Sequence, residues 1–311
     1  MDTAVNFPTT PKAVKAVSLK LSKRMRVEQA FQAIVRSCIE QVRANEPGVS
    51  RFHDTESLHQ MRVGLRRLRT ALILFDDVLP VPGDLETELV WLMDQLAPAR
   101  DWDVLLASTL PQVEAALPDA ASLAPLRSAA HEKRQRLNAQ AANAAGSLRC
   151  EKLLGKLDLW LDERSWRDQL SAKGKTRLKM RAIDFAGTIV EKEQQRLLKR
   201  GARLKGANAN ERHRVRIAAK RARYAAEFFA SLYPGKLVRP YVAALSALQR
   251  ELGAIGDGAV ARSLLDELCA DNAELREAAA LVSGYLAASA EHGLPKVRTC
   301  WKKLAARDLP R

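Results

Sequence analysis

From residue 26 to residue 306, apolar side chains recur at spacings of three and four, and Ala, Leu, Arg, Glu and Gln fill most positions between them. That period matches the face of an α-helix, and these residue types are good helix formers. Alternating, strand-like runs are nearly absent. The pattern predicts an all-α chain of about ten to twelve helices. Breaks are expected at Pro47 and Gly48, residues 80–83, Pro98, Pro111, Pro118, residues 201–206, Pro234 and Gly235, and residues 293–295. Residues 1–25, with Pro8 and Pro11 and no clear period, are expected to form a flexible basic arm.

One helical pattern occurs twice. HQMRVGLRRLRTALILF at 59–75 aligns without a gap on HRVRIAAKRARYAAEFF at 213–229, an offset of 154 residues. His59 pairs with His213, Arg62 with Arg216, Arg66 with Lys220, Arg67 with Arg221, Arg69 with Arg223 and Phe75 with Phe229. A second match follows, LAPARDWDV at 96–104 on LGAIGDGAV at 252–260, pairing Asp101 with Asp257. Each copy then reads as a leading helix, a His helix, a third helix ending near the Asp motif and a fourth helix, the count of a four-helix bundle. The expected division is an arm at 1–25, a first half at 26–170 and a second at 171–311. The bundles themselves span 26–163 and 177–306, linked through the polar SAKGKT at 171–176.

Charge sharpens this picture. On the first His helix, His59, Arg62, Arg66 and Arg69 fall within an arc of about 80°, while Met61, Leu65, Leu68, Leu72 and Phe75 take the other side. No acid occurs from 59 to 75. Solvated helix faces usually mix signs, because like charges at i, i+4 repel. The net charge of +15 is also concentrated: residues 173–223 hold 17 Lys and Arg against Asp184, Glu191, Glu193 and Glu211. Such a field attracts polyanions, whether nucleic acid, anionic membrane or a phosphate polymer.

The candidate anion-binding residues follow from type and spacing. Arginines offer a planar fork suited to phosphate oxygens, and the rows Arg62, Arg66, Arg67, Arg69 and Arg216, Lys220, Arg221, Arg223 can face a linear anion. Lys192, Arg196, Lys199 and Arg203 form a further stripe on the leading helix of the second half. Lys173, Lys175, Arg177, Lys179 and Arg181 alternate instead and read as a flexible lead-in. His59 and His213 lack partners at metal spacing and have no local activating carboxylate, so hydrogen bonding beside the Arg rows, or a structural role, is favoured over ligation or catalysis. Asp101 and Asp257 are expected to pair with bases of the His helices rather than to bind metal with Asp103. Trp91, Trp102, Trp160, Trp166 and Trp301 read as core. Cys38, Cys150, Cys269 and Cys300 are scattered, consistent with reduced structural thiols, and no cofactor is indicated. No run approaches the length of a membrane span and the N-terminus lacks a signal-peptide core, so a cytoplasmic protein is expected.

The sequence H-x-x-R-x-x-x-R-R-x-R, followed by L-x-x-x-R-D-x-D-V and a degenerate second copy, resembles the CHAD domain, the conserved histidine α-helical domain, over residues 26–306. The resemblance implies two four-helix bundles related by a pseudo-twofold axis, with a basic groove and central cavity that bind inorganic polyphosphate, and association with polyphosphate granules, as in the phosins. It implies no enzymatic activity. The basic residues that carry over are His59, Arg62, Arg66, Arg67 and Arg69, then His213, Arg216, Lys220, Arg221 and Arg223. Lys220 stands where the first copy has Arg, and Gly256 stands opposite Arg100. Many relatives carry a CYTH domain marked by E-x-E-x-K; ETELV at 86–90 lacks the Lys and lies in helical sequence. PKAVKAVSLKLSKRM resembles the linker between the two domains, so the chain reads as a C-terminal portion or a shortened relative. The rival readings are a nucleic-acid-binding protein using the same surface, with weak nucleic-acid binding possible in any case, and a phosphoryl-transfer enzyme using His59 or His213.

Overall fold

The computed structural model describes residues 11–117 and 123–309. Among these there is no strand, and one isolated β-bridge joins Arg26 to Arg181. The helices are α1 (Val27–Ser50), α2 (Thr55–Phe75), α3 (Gly83–Val104), α4 (Leu110–Ala116), α5 (Ala124–Ala145), α6 (Leu148–Glu163), α7 (Trp166–Gln169), α8 (Ala172–Leu178), α9 (Ala182–Gly201), α10 (Ala209–Phe228), α11 (Gly235–Asp271) and α12 (Arg276–Ala305). A π-helical turn, Leu105–Thr109, joins α3 to α4. The two His helices are α2 and α10.

Both His helices begin at side-chain caps. Asp54 accepts from the Ser57 amide at 2.7 Å, and Asn208 and Glu211 form a reciprocal capping box at 2.9 Å in each direction. Each cap satisfies amides that the first turn leaves without helical partners. Ser147 and Ser171 cap α6 and α8 in the same way.

Several expected breaks are absent. Pro47, Pro98 and Pro295 lie inside α1, α3 and α12, and Pro111 sits in the first turn of α4. A proline removes one helical hydrogen bond, but burial of a long amphipathic face keeps the helix continuous. Pro118 lies outside the described residues. In the first copy the third helix ends at Val104, three residues past Asp101; in the second, α11 runs straight through Asp257 to Asp271. The basic run at 173–181 is not a flexible lead-in, since most of it forms α8.

The two copies pack in the same order. α1 lies on α2, α2 on α3 and α3 on α5, while α9 lies on α10, α10 on α11 and α11 on α12. Between copies, α2 touches α10, α3 touches α11 and α4 touches α12. The core forms three apolar clusters. One joins α1, α2 and α6 to the start of α9 and the end of α10; a second unites α9 to α12; a third packs Trp102, Leu105 and Leu126 against Leu265 and Val282. Phe75 and Phe229, the aligned ends of the repeat, meet with ring centroids 6.1 Å apart, and Phe185 packs on both. The His helices therefore converge at their C-terminal ends, around buried aromatic rings.

Residues 11–25 depart from the flexible arm expected. The Val14 amide donates to Asn45 at 2.9 Å, Asn45 donates to the Val14 carbonyl at 2.8 Å, and the Leu21 amide donates to Ser231 at 2.9 Å. Leu21 is buried. This segment is a strap tied to α1 at one end and to the turn after α10 at the other. Among the described residues, no helix is long and apolar enough to cross a membrane.

Candidate anion-binding site

A groove of about 750 Å³ lies between the two His helices. His59, Arg66 and Arg67 of α2 line it together with Lys220 and Arg223 of α10. Arg239 of α11 and Lys15 of the strap, neither singled out by sequence, complete its cationic lining, and residues 15–19 form one of its sides. Glu227 is its one carboxylate. It is held by Arg223 at 2.6 Å and approached by Arg67 at 3.4 Å.

Six buried arginine Nε atoms have no hydrogen-bond acceptor among the described residues: those of Arg62, Arg66, Arg67, Arg212, Arg216 and Arg221. All six belong to α2 or α10. A buried donor without an acceptor is costly, and more so when it carries charge. The crowding also shows in ionisation. Burial, reinforced by Arg216 and Arg66, pushes the Lys220 ammonium down to about 8. Burial likewise pulls the Arg62 guanidinium down to about 10 against the pull of Asp101, and Arg66 and Arg100 add to the depression. The His59 imidazole is lowered by burial and by Arg100, with Glu56 opposing. These are signs of cations packed more densely than their local counter-charges balance.

Several sequence candidates are committed to structural contacts or lie outside this groove. Arg67 is only 6% exposed and sits 4.9 Å from the centroid of Phe228, so much of its role is structural. Arg69 is exposed on α2 outside the groove lining. Arg216 donates to Asp257 at 3.1 Å and to the Gly253 carbonyl at 3.2 Å. A Cβ at Gly256 would lie 2.4 Å from Arg216 Nη1, so the glycine opposite Arg100 in the repeat is the space the guanidinium occupies. His213 is exposed and lines a separate, smaller groove with Arg212, Arg216 and Arg262. The aligned histidines thus occupy different environments. Arg221 donates to Glu193 at 2.9 Å, Arg223 to Gln249 at 2.9 Å, and Lys192 pairs with Asp77.

Asp257 pairs with a His-helix base as expected. Among the described residues Asp101 makes no ion pair within 4 Å; burial raises its carboxyl, nearby Arg62 opposes that, and Asp257 adds to it. Asp103 pairs with Arg134 of α5 at 2.6 Å, which removes it from any D-x-D metal site, and among the described residues no cluster of His, Cys, Asp and Glu could hold a metal. Trp102, Trp160 and Trp166 are core, whereas Trp91 is partly exposed under Arg149. The four cysteines are free thiols, and burial pushes that of Cys38 up to about 12.

Residues 33–266 match the CHAD domain family. The chain belongs to that family. Its fold is similar to the crystal structure of the CHAD domain from the plant Ricinus communis, with 39% sequence identity, a TM-score of 0.85, and coverage of 96% of this chain and 99% of that one. PptA from Streptomyces chartreusis shares the fold at 16% identity and a TM-score of 0.67, covering 89% of this chain and 100% of that one. No curated protein matches the sequence. Within this CHAD domain, Arg66 of the first copy and Lys220 of the second share the central groove, and Arg66 helps to depress the Lys220 ammonium.

Proposed function

We propose that the protein binds inorganic polyphosphate in the central groove without transforming it. The observation that carries this reading is one groove between the two His helices whose lining gathers Arg66, Arg67, Lys220, Arg223, Arg239 and Lys15 against the carboxylate of Glu227, with the buried Nε donors of Arg66 and Arg67 lacking acceptors among the described residues. Phosphate oxygens are the acceptors such donors lack, and a thin, flexible anion can enter a concavity that a rigid duplex cannot. Membership of the CHAD family supports the same ligand class. The non-catalytic part of the proposal rests on His59, whose protonated form is disfavoured first by burial and then by Arg100, with Glu56 of its own helix opposing, so that the imidazole holds little proton to donate as a general acid. Cytoplasmic location and association with polyphosphate granules belong to this proposal as its cellular consequence.

The test is competition at near-physiological salt. Unlabelled long-chain polyphosphate should displace labelled polyphosphate at far lower phosphate-equivalent concentration than duplex DNA does. Equal displacement by both polymers would remove the claim of a shaped site and favour the nucleic-acid reading. Polyphosphate hydrolysis or phosphoryl transfer that vanished on replacing His59 would overturn the non-catalytic part.

A further inference from the structure

Three residues of the α9 stripe expected to belong to the binding surface lie away from the central groove. Arg196, Lys199 and Arg203 line a second groove, of about 490 Å³, on the outer side of α9 and the start of α10. Arg200 and Arg214 join them, and Glu211 is the only acid in the lining. Glu211 is already committed, accepting the Asn208 amide at 2.9 Å in the capping box. Arg196 is held by Glu193 at 2.6 Å. Lys199, Arg200, Arg203 and Arg214 are exposed and enter none of the ion pairs among the described residues.

Lys199 and Arg200 stand in the last turn of α9, where any cation is favoured by the helix dipole. That explanation does not reach Arg203, beyond the helix, or Arg214, in the second turn of α10 and outside the range of either helix end. Two devices hold the row in place. Trp301 of α12 packs onto Gly201 so closely that a Cβ there would lie 2.1 Å from the indole, fixing the end of α9 from which Lys199, Arg200 and Arg203 project. Glu193, only 2% exposed, accepts from both Arg196 on the outer side and Arg221 on the His helix, coupling the outer row to α10 through one buried carboxylate.

We infer that the α9–α10 groove is a second, separate site for the same linear phosphate polymer, so that a long chain engages both grooves while a short one fills either alone. This rests on the polyphosphate reading above and deepens it. Linking two sites through one ligand raises affinity by effective concentration rather than by new contacts, so the outer site shows itself as a dependence on chain length.

The experiment compares binding of long-chain polyphosphate and of tripolyphosphate to the full chain and three variants whose fold is checked by circular dichroism. The outer variant is R200Q/R203Q/R214Q, the central variant R66Q/K220Q, and a charge control K173Q/K175Q/K179Q removes three exposed lysines around α8. The expected result for the outer variant is a loss of roughly tenfold or more in long-chain affinity and a shallower salt dependence, with tripolyphosphate binding at the central groove retained and the control close to wild type. Unchanged long-chain affinity and salt dependence in the outer variant, with loss in the central one, overturns the second site and leaves the central reading intact. An equal loss in the control also overturns it, because binding then follows net charge. Unchanged affinity in the central variant overturns the central reading, and with it this inference.

Discussion

At the residue scale, the same residue type carries different roles according to what its neighbours supply. Arg67 is buried over Phe228 and faces Glu227, whereas Arg69, two positions on, is exposed. Arg67→Ala should destabilise the protein by about 2–4 kcal/mol, since it removes aromatic packing and strands part of an ion-pair network. Arg69→Ala should stay within about 0.5 kcal/mol; denaturant unfolding of both variants tests the contrast, and equal effects would refute it. Lys220 has a folded value near 8 against an ordinary 10.5. Its depressed value means that the empty fold disfavours its charge, so the folded chain binds fewer protons than the unfolded one between these values, and stability of the free protein should rise with pH across that window. A bound polyanion favours the ammonium, so binding near pH 8 should take up protons and affinity should fall as pH rises through 8. Calorimetry in buffers of different ionisation enthalpy measures the uptake, and Lys220→Arg should abolish it. Sequence exposes the one-signed face that creates this crowding, but not which cation yields its proton, because desolvation depends on what packs over each side chain.

At the element scale, the His helices are recognisable in sequence because capping residues, apolar period and the absence of acids are all local. Their crossing is not. It is set where Phe75 meets Phe229, with Phe185 against both. Phe229→Ala should cost about 3–5 kcal/mol through the cavity it leaves, and should weaken polyphosphate binding as well, because Arg66 and Lys220 are brought together by that crossing. Full retention of affinity in a folded, destabilised variant would show that the crossing does not position the groove. Helix lengths were less legible than helix identities. Pro47, Pro98 and Pro295 read as breaks one residue at a time, but tertiary burial of long apolar faces carries the helices through them. The strap at 11–25 gave no periodic signal, because its order comes from hydrogen bonds to Asn45 and Ser231, distant in sequence.

At the scale of the whole molecule, a net charge of +15 predicts attraction to any polyanion, and concave clustering is what would give that attraction selectivity. Polyphosphate affinity should fall linearly on a log–log plot as salt rises from roughly 50 to 200 mM, with each neutralised phosphate adding about 0.7 to the slope for a single-stranded polyanion. Salt-independent affinity would exclude counterion release as the driving force. By itself the sequence determined the all-helical class, the identity of the two His helices and their cationic rows. Those features rest on short-range periodicity, capping and propensity, which act within a few turns of chain. Only the tertiary structure decided that His59 and His213 face different grooves, that Arg200, Arg214, Arg239 and Lys15 join the cationic linings, and that the α9 stripe turns outward. Helix rotation and crossing angle make that choice, and both are fixed by interdigitation of apolar side chains from segments far apart in the chain.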